Sequence, residues 1–336
     1  MPNRTYLSGR NPSPYHAIDG AFRVVNGPQV YNRALYGAYL PHIGKRFRVF
    51  AGDLPEWMMF LPGDGGRLLL GLGDGRTIKP LRECDRIEAR YDGARMVYEM
   101  TDPILGPRGM LRLEVLPLAA EAGMVVKIDA PGGLNGLTVT AAYGGASGQT
   151  HARTLDPGYT PQEVTDLKPA DCEGNKIQAH GEGFELSAGW MKGGRITGQT
   201  TMPGTFDVEN AMETLVWFQG GAINASDPGS APLGFGTRPW ESGASPANPL
   251  LDMDSSAKRL LLVFQSSGDT DWSRPHYIVL RYGDAENVPL EVSVAEQLYQ
   301  EASACYEQVA TTATVNTPSE LLNAALRTAC AALEGA

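Results

Sequence analysis

Up to about residue 283 the chain is a series of short apolar runs, each bounded by glycine, proline or polar turn residues. Phe47-Arg-Val-Phe50, Trp57 to Leu61 and Leu68-Leu-Leu70 are strand-like, with Gly63-Asp-Gly-Gly66 as a turn among them. Arg86-Ile-Glu-Ala-Arg-Tyr91 and Ala94 to Met100 flank Asp92-Gly93 and predict a hairpin. Phe22 to Val25, Asn26-Gly27 and Gln29 to Arg33 predict another, closed by a primed turn. Met110 to Leu116 and Met124 to Ile128 read as paired neighbours, followed by Leu137 to Tyr143. Ile177 to His180, Phe184 to Ala188, Ile196 to Thr200 and the strand-like Leu215-Val-Trp-Phe218 extend the series. Arg259 to Phe264 and Tyr277 to Tyr282 are nearly unbroken apolar runs, which predicts central strands buried on both faces. Two polar, Gly/Pro-rich stretches, 144–175 and 220–249, interrupt the pattern, and loops of that length in a compact domain are often functional.

The periodicity then changes to helical. Ser293-Val-Ala-Glu296 reads as a capping box, with Val294, Leu298, Ala302, Cys305 and Val309 on the following stripe. Thr317-Pro-Ser-Glu320 reads as a second box with Pro at the first helical position, opening a stripe of Leu322, Ala325, Leu326, Ala329, Cys330 and Leu333. The expected architecture is mainly β: a large two-sheet sandwich over residues 16–290, after an extension at 1–15. A linker helix at 291–316 and the first helix of a further domain at 317–336 come after it. An apolar stripe needs a partner. The expectation is therefore a fragment whose partner helices lie beyond Ala336, with a dimer through the terminal helix as an alternative.

Composition adds mainly exclusions. A net charge of −10 with 28 Lys+Arg argues against nucleic acid, whose phosphates need clustered cations. No apolar run approaches membrane-spanning length, and the first residues carry no signal-peptide pattern. Cys84, Cys172, Cys305 and Cys330 form no C-x-x-C and read as isolated thiols, with one long-range disulfide as the alternative. The five histidines lack metal-ligand spacing, so no metal and no cofactor is assigned. Asp252-Met-Asp254 and Asp269-Thr-Asp271 do not continue into a calcium loop and read as solvated turns. Gly71-Leu-Gly-Asp-Gly75 lacks the helix and lysine of a phosphate cradle and reads as a turn. Ser147 lacks the strand-to-helix setting of a nucleophile elbow.

Two tryptophans fall in loops rather than strands: Trp240 beside Arg238 and Glu241, and Trp272 beside Asp271 and Arg274. A flat ring rimmed by charged hydrogen-bonding groups suits a sugar, while a plug at the sandwich edge is the plainer alternative. Trp57, Trp190 and Trp217 lie in or beside strand-like runs and are expected in the core.

Tyr31-Asn-Arg-Ala-Leu-Tyr-Gly37, Phe47 to Asp53 with Pro55-Glu56, Phe60-Leu-Pro-Gly63, Tyr98 to Gly106, Leu113 to Leu118 and Leu167-Lys-Pro169 together resemble the N-terminal half of a bacterial family of six-hairpin glycosidases. Leu322-Asn-Ala-Ala-Leu326 resembles the first barrel helix of such proteins. The resemblance implies a β-supersandwich of the kind that precedes the α/α barrel in glucoamylase and in maltose and cellobiose phosphorylases, and a periplasmic or extracellular location. It implies catalytic carboxylates in the barrel, so none is assigned here and this chain alone is expected to be inactive. Carbohydrate and the helical domain of the same protein are the expected partners, with a self-contained carbohydrate-binding or structural β-protein as the rival. Arg33 and Tyr36 join the candidate sugar contacts, although three residues apart on a strand they face opposite ways unless a bulge re-aims one. A structural Arg33 paired with Asp53 or Glu56 is the alternative.

Overall fold

The computed structural model describes residues 15–40, 45–61, 63–74, 77–93, 95–150, 166–218, 259–283, 290–313 and 316–335. Strands β1 (His16–Ile18) and β2 (Ala21–Val25) begin one sheet, and the chain then crosses to a second. That sheet takes β3 (Arg33–Leu40), β4 (Lys45–Ala51), β5 (Glu56–Phe60), β6 (Asp64–Gly73) and the short β7 (Ile78–Pro80). The chain returns for β8 (Arg86–Tyr91), β9 (Met96–Thr101), β10 (Leu111–Pro117) and β11 (Gly123–Asp129), then crosses again for β12 (Thr138–Gly144). Strands β13 (Lys176–His180), β14 (Gly183–Ser187) and β15 (Arg195–Thr200) belong to the first sheet, β16 (Gly204–Asn210) and β17 (Leu260–Ser266) to the second, and β18 (His276–Gly283) to the first. Among the described residues these make antiparallel sheets of ten and eight strands, the two-sheet sandwich that the apolar pattern implied.

Alternation along each strand decides what faces inward. Leu35, Val49, Trp57, Leu68 and Leu70 of the smaller sheet meet Tyr98, Met100, Leu113, Val115, Met124 and Val126 of the larger. Each large apolar side chain fully buried here contributes roughly 1.5–3 kcal/mol. The Trp57 and Tyr98 rings meet edge to face at 5.8 Å, and the Tyr98 hydroxyl donates to the Gly52 carbonyl at 2.8 Å, joining the two sheets.

Both outer faces are partly covered. Helix α1 (Ala211–Phe218) lays Ala211, Leu215 and Phe218 on Leu69, Ala142 and Leu261 of the smaller sheet. Helix α2 (Val292–Ala310) lays Ala295, Tyr299 and Ala302 on Leu116, Val125, Tyr277 and Val279 of the larger. Strand β18 therefore runs between β11 and β15 with apolar cover on both faces, as its unbroken apolar run implied. Helix α3 (Glu320–Gly335) packs on α2 and on β1, β2 and β3. No helix among the described residues is long and apolar enough to cross a membrane.

Several local expectations are corrected. Asn26-Gly27 closes no hairpin: β2 pairs with β8, and the Asn26 amide extends that pairing by accepting from Ile87 N at 2.8 Å and donating to Asp85 O at 3.0 Å. The following residues carry the chain to the other sheet, where Asp53 N donates to Gln29 O at 2.7 Å. Leu215 to Phe218 is helical, because Asn210 Oδ1 accepts Met212 N at 2.9 Å and turns the chain out of β16 into α1. Gly71-Leu-Gly73 ends β6 rather than forming a turn. The box at Ser293 does not form, since α2 starts two residues earlier than it implies, at Val292, with Glu291 as N-cap and no side-chain cap. Helix α3 starts at Glu320, not at Pro318, with Ser319 Oγ accepting Leu322 N at 3.4 Å.

The helical stripes are also rotated from expectation. In α2, Val294 and Cys305 are exposed while Tyr299 is buried. In α3, Ala324 and Ala331 are buried and Leu322 and Leu333 stay 59% and 77% exposed. Small residues let α3 approach the sheet closely, and that geometry turns the leucines outward.

Candidate functional site

Two loops link the sheets at one end of the sandwich. Residues 130–137 carry the chain from β11 to β12, and residues 267–275 carry it back from β17 to β18. Ile128 pairs with His276 and Thr140 with Gln265, which places both links at the same end. Between them lies a groove of ≈ 420 Å³, walled by Trp272, Asp271 and Ser273 on one side and by Gly133, Asn135 and Gly136 on the other.

Local hydrogen bonds fix each wall. Ser267 O accepts Thr270 Oγ1 at 2.6 Å, and Asp271 closes the next turn by accepting Ser273 N and Ser273 Oγ, each at 2.9 Å. The bond from the Ser273 backbone is the main reason why the Asp271 carboxyl is held below its usual value. His276 Nε2–H donates to the Asp271 carbonyl at 2.8 Å, and the His276 ring meets Trp272 edge to face at 5.0 Å. Trp272 thus packs partly on the core while bordering the groove. The opposite wall is two successive tight turns, with Gly133 N donating to Ala130 O and Leu137 N to Leu134 O. Gly133, Asn135 and Gly136 have φ of 69°, 54° and 79°, which glycine adopts without strain and asparagine tolerates. A Cβ at Gly133 or Gly136 would meet open space, so no other part of the chain covers that side of the turns.

A second, shallower groove of ≈ 830 Å³ adjoins it, lined by Asp85, Thr101, Asp102 and the turn from Pro103 to Met110. Its wall is held by Asp102, whose carboxylate accepts Ile104 N at 3.1 Å, Asp85 N at 3.0 Å and Lys79 Nζ. Lys79 also lies 3.6 Å from the largely exposed Asp85 carboxylate.

The sequence-derived candidates separate. Asp271 and Trp272 share the groove, while Arg274 is exposed beside it without lining it. Arg33 lies elsewhere, its guanidinium over the rings of Tyr15 and Tyr91 at 4.8 and 5.6 Å. Tyr91 ends β8 at the opposite pole from Asp85, so Arg33 and Trp272 sit at opposite ends of the sandwich. Tyr36 pairs with Arg48 on the other strand face, its ring 5.3 Å from that guanidinium, and the bulge falls after Tyr36. The neighbours of the Arg33 guanidinium are aromatic rings rather than Asp53 or Glu56; Asp53 accepts Tyr15 OH at 2.8 Å, and Glu56 pairs with Arg82. Trp57 is fully buried and Trp190 half-buried, with its Nε1–H donating to Ala146 O at 2.9 Å. Trp240, Arg238, Glu241 and the side chain of Trp217 lie outside the described residues, as does Asp252-Met-Asp254.

A buried charge cluster on the outer face of the smaller sheet was not legible in sequence. Arg82 lies 3.0 Å from Glu56 and 3.9 Å from Asp166, and Arg67 lies 2.9 Å from Asp64 and 3.6 Å from Asp171. Tyr31 OH donates to Glu56 at 3.4 Å. Burial raises the Glu56 carboxyl above its usual value despite the Arg82 charge. The arrangement ties residues 166–171 to β5 and β6. Among the described residues no group of three His, Cys, Asp or Glu side chains could hold a metal ion.

The family described as a domain of unknown function (DUF4450) matches residues 61–232, just over half of the chain. The chain belongs to that family. The match spans β6 to α1 and includes the turn that walls the Trp272 groove. No curated protein matches the chain. Among solved structures, a bacterial glucoamylase complexed with acarbose is similar at 9% identity and a TM-score of 0.40, over 76% of this chain and 34% of that one. The chain thus spans about a third of the glucoamylase's length, and a likeness at that level bears on neither chemistry nor substrate.

Proposed function

We propose that this chain is the β-supersandwich part of a carbohydrate-active enzyme of the six-hairpin glycosidase type, and that it contributes a sugar-contacting groove rather than the catalytic carboxylates. The observation that carries the reading is the Trp272 groove: an aromatic ring fixed by its neighbours, with the Asp271 carboxylate beside it, borders a concavity whose opposite wall is an open Gly/Asn turn. Sugars offer apolar ring faces and hydroxyls that both donate and accept, so a ring with a carboxylate beside it suits them. The sequence resemblance and the order of sandwich followed by two helices support the same reading. The outward leucines of α3 are compatible with a helical partner domain.

Binding of this chain to an array of plant, microbial and host glycans tests the reading, with parallel assays on aryl glycosides. Retention of a glycan that is lost in Trp272→Phe, without glycoside turnover, is the expected result. Glycan binding indifferent to Trp272, or turnover lost on mutating a carboxylate of this chain, overturns it.

A further inference from the structure

The Trp272 groove does not end at its own wall. A Cβ at Gly132 would lie 3.4 Å from Arg108 O and 3.8 Å from Gly109 Cα, and one at Gly106 would lie 3.9 Å from the Asn135 amide. The turn between β9 and β10 therefore touches the link between β11 and β12, and the two grooves meet across a ridge built largely of glycine. Each groove alone is within the range of roughly 300–1,000 Å³ that encloses a drug-sized ligand. Together they offer more room than one sugar ring needs.

We propose that the two grooves form one cleft for an extended oligosaccharide, with Trp272 at one end and Arg108 at the other. This rests on the sugar-binding reading above and adds chain length to it. Extension follows from the geometry. A short sugar on Trp272 reaches only the link between β11 and β12, and a longer one also reaches the exposed Arg108 side chain and the turn that carries it.

The test is calorimetric titration of the whole chain with the best-retained array glycan, from its monosaccharide to its hexasaccharide. Affinity should rise by about threefold or more per added unit until the cleft is filled. Arg108→Ala should abolish the gain for longer ligands and leave short ones unaffected, whereas Trp272→Phe should weaken every length. Thermal unfolding of both variants guards against a folding defect, and Arg108 is exposed enough that its removal should leave stability intact. Affinity independent of length, or a length gain that survives Arg108→Ala, overturns the inference while leaving sugar binding standing. No retained glycan at all overturns the underlying reading instead.

Discussion

Replacing Arg82 by Met probes the buried charge cluster most directly. The guanidinium is 15% exposed and lies 3.0 Å from a Glu56 carboxylate that is 5% exposed. Its removal leaves Glu56 with the Tyr31 hydroxyl at 3.4 Å and with the like charge of Asp166 close to the site. Breaking a buried pair from one side costs about 3–5 kcal/mol, several times the roughly 0–1 kcal/mol of an exposed pair. The sign with pH follows from Glu56. Its folded pKa is raised by burial, so its contribution to stability is complete below the unfolded value and is lost as pH rises through the folded one. Without Arg82 the folded value rises further, so Arg82→Met should be less damaging at about pH 5 than at about pH 8. Adding Glu56→Gln, which keeps an acceptor for Tyr31, should recover roughly 2 kcal/mol at the higher pH. Urea unfolding followed by tryptophan fluorescence gives both midpoint and slope. A loss below about 1 kcal/mol at neutral pH, or no recovery in the double variant, would refute the buried-pair reasoning.

Tyr299→Phe removes the 2.7 Å bond to the buried Glu114 that docks α2 on the larger sheet, and should cost about 1.5–3 kcal/mol in chemical denaturation. Gly52→Ala should destabilise by about 1–3 kcal/mol, because its Cβ would come within 2.7 Å of Val30 Cα where the chain enters the second sheet; an unchanged thermal midpoint would contradict the crossover. Leu322→Gln with Leu333→Gln should shift stability by no more than about 0.5 kcal/mol, both side chains being exposed, and a larger loss in unfolding or a drop in light-scattering mass would reveal a covering partner.

The sandwich was legible because strand alternation and doubly buried runs are local signals. Arg86 to Tyr91 pairs with Met96 to Thr101 as its Asp92-Gly93 turn implied, and β18 lies mid-sheet as its unbroken apolar run implied. Asn26-Gly27 misled because the same dipeptide can extend a ladder to a strand some sixty residues away, a pairing no local pattern reveals. Leu215 to Phe218 misled because a short apolar run suits strand and helix alike, and the Asn210 cap decides. Trp272 drew attention through its Gly/Pro surroundings. Its facing wall, Pro131-Gly-Gly-Leu-Asn-Gly136, carried no signal of its own, because only tertiary structure brings the two loops together. The pairing of Glu56 with Arg82 was hidden for the same reason.

The loops that wall the Trp272 groove are also the covalent joints between the two sheets. The strands that anchor the two loops are hydrogen-bonded neighbours in both sheets, β11 with β18 and β12 with β17, so widening the groove at its base means breaking those ladders inside a close-packed interior. A ligand entering it meets a mould already cast, and little ordering entropy should be lost on association. Variation that reshapes this end must then come from side chains on a fixed frame, not from re-spacing of the frame itself.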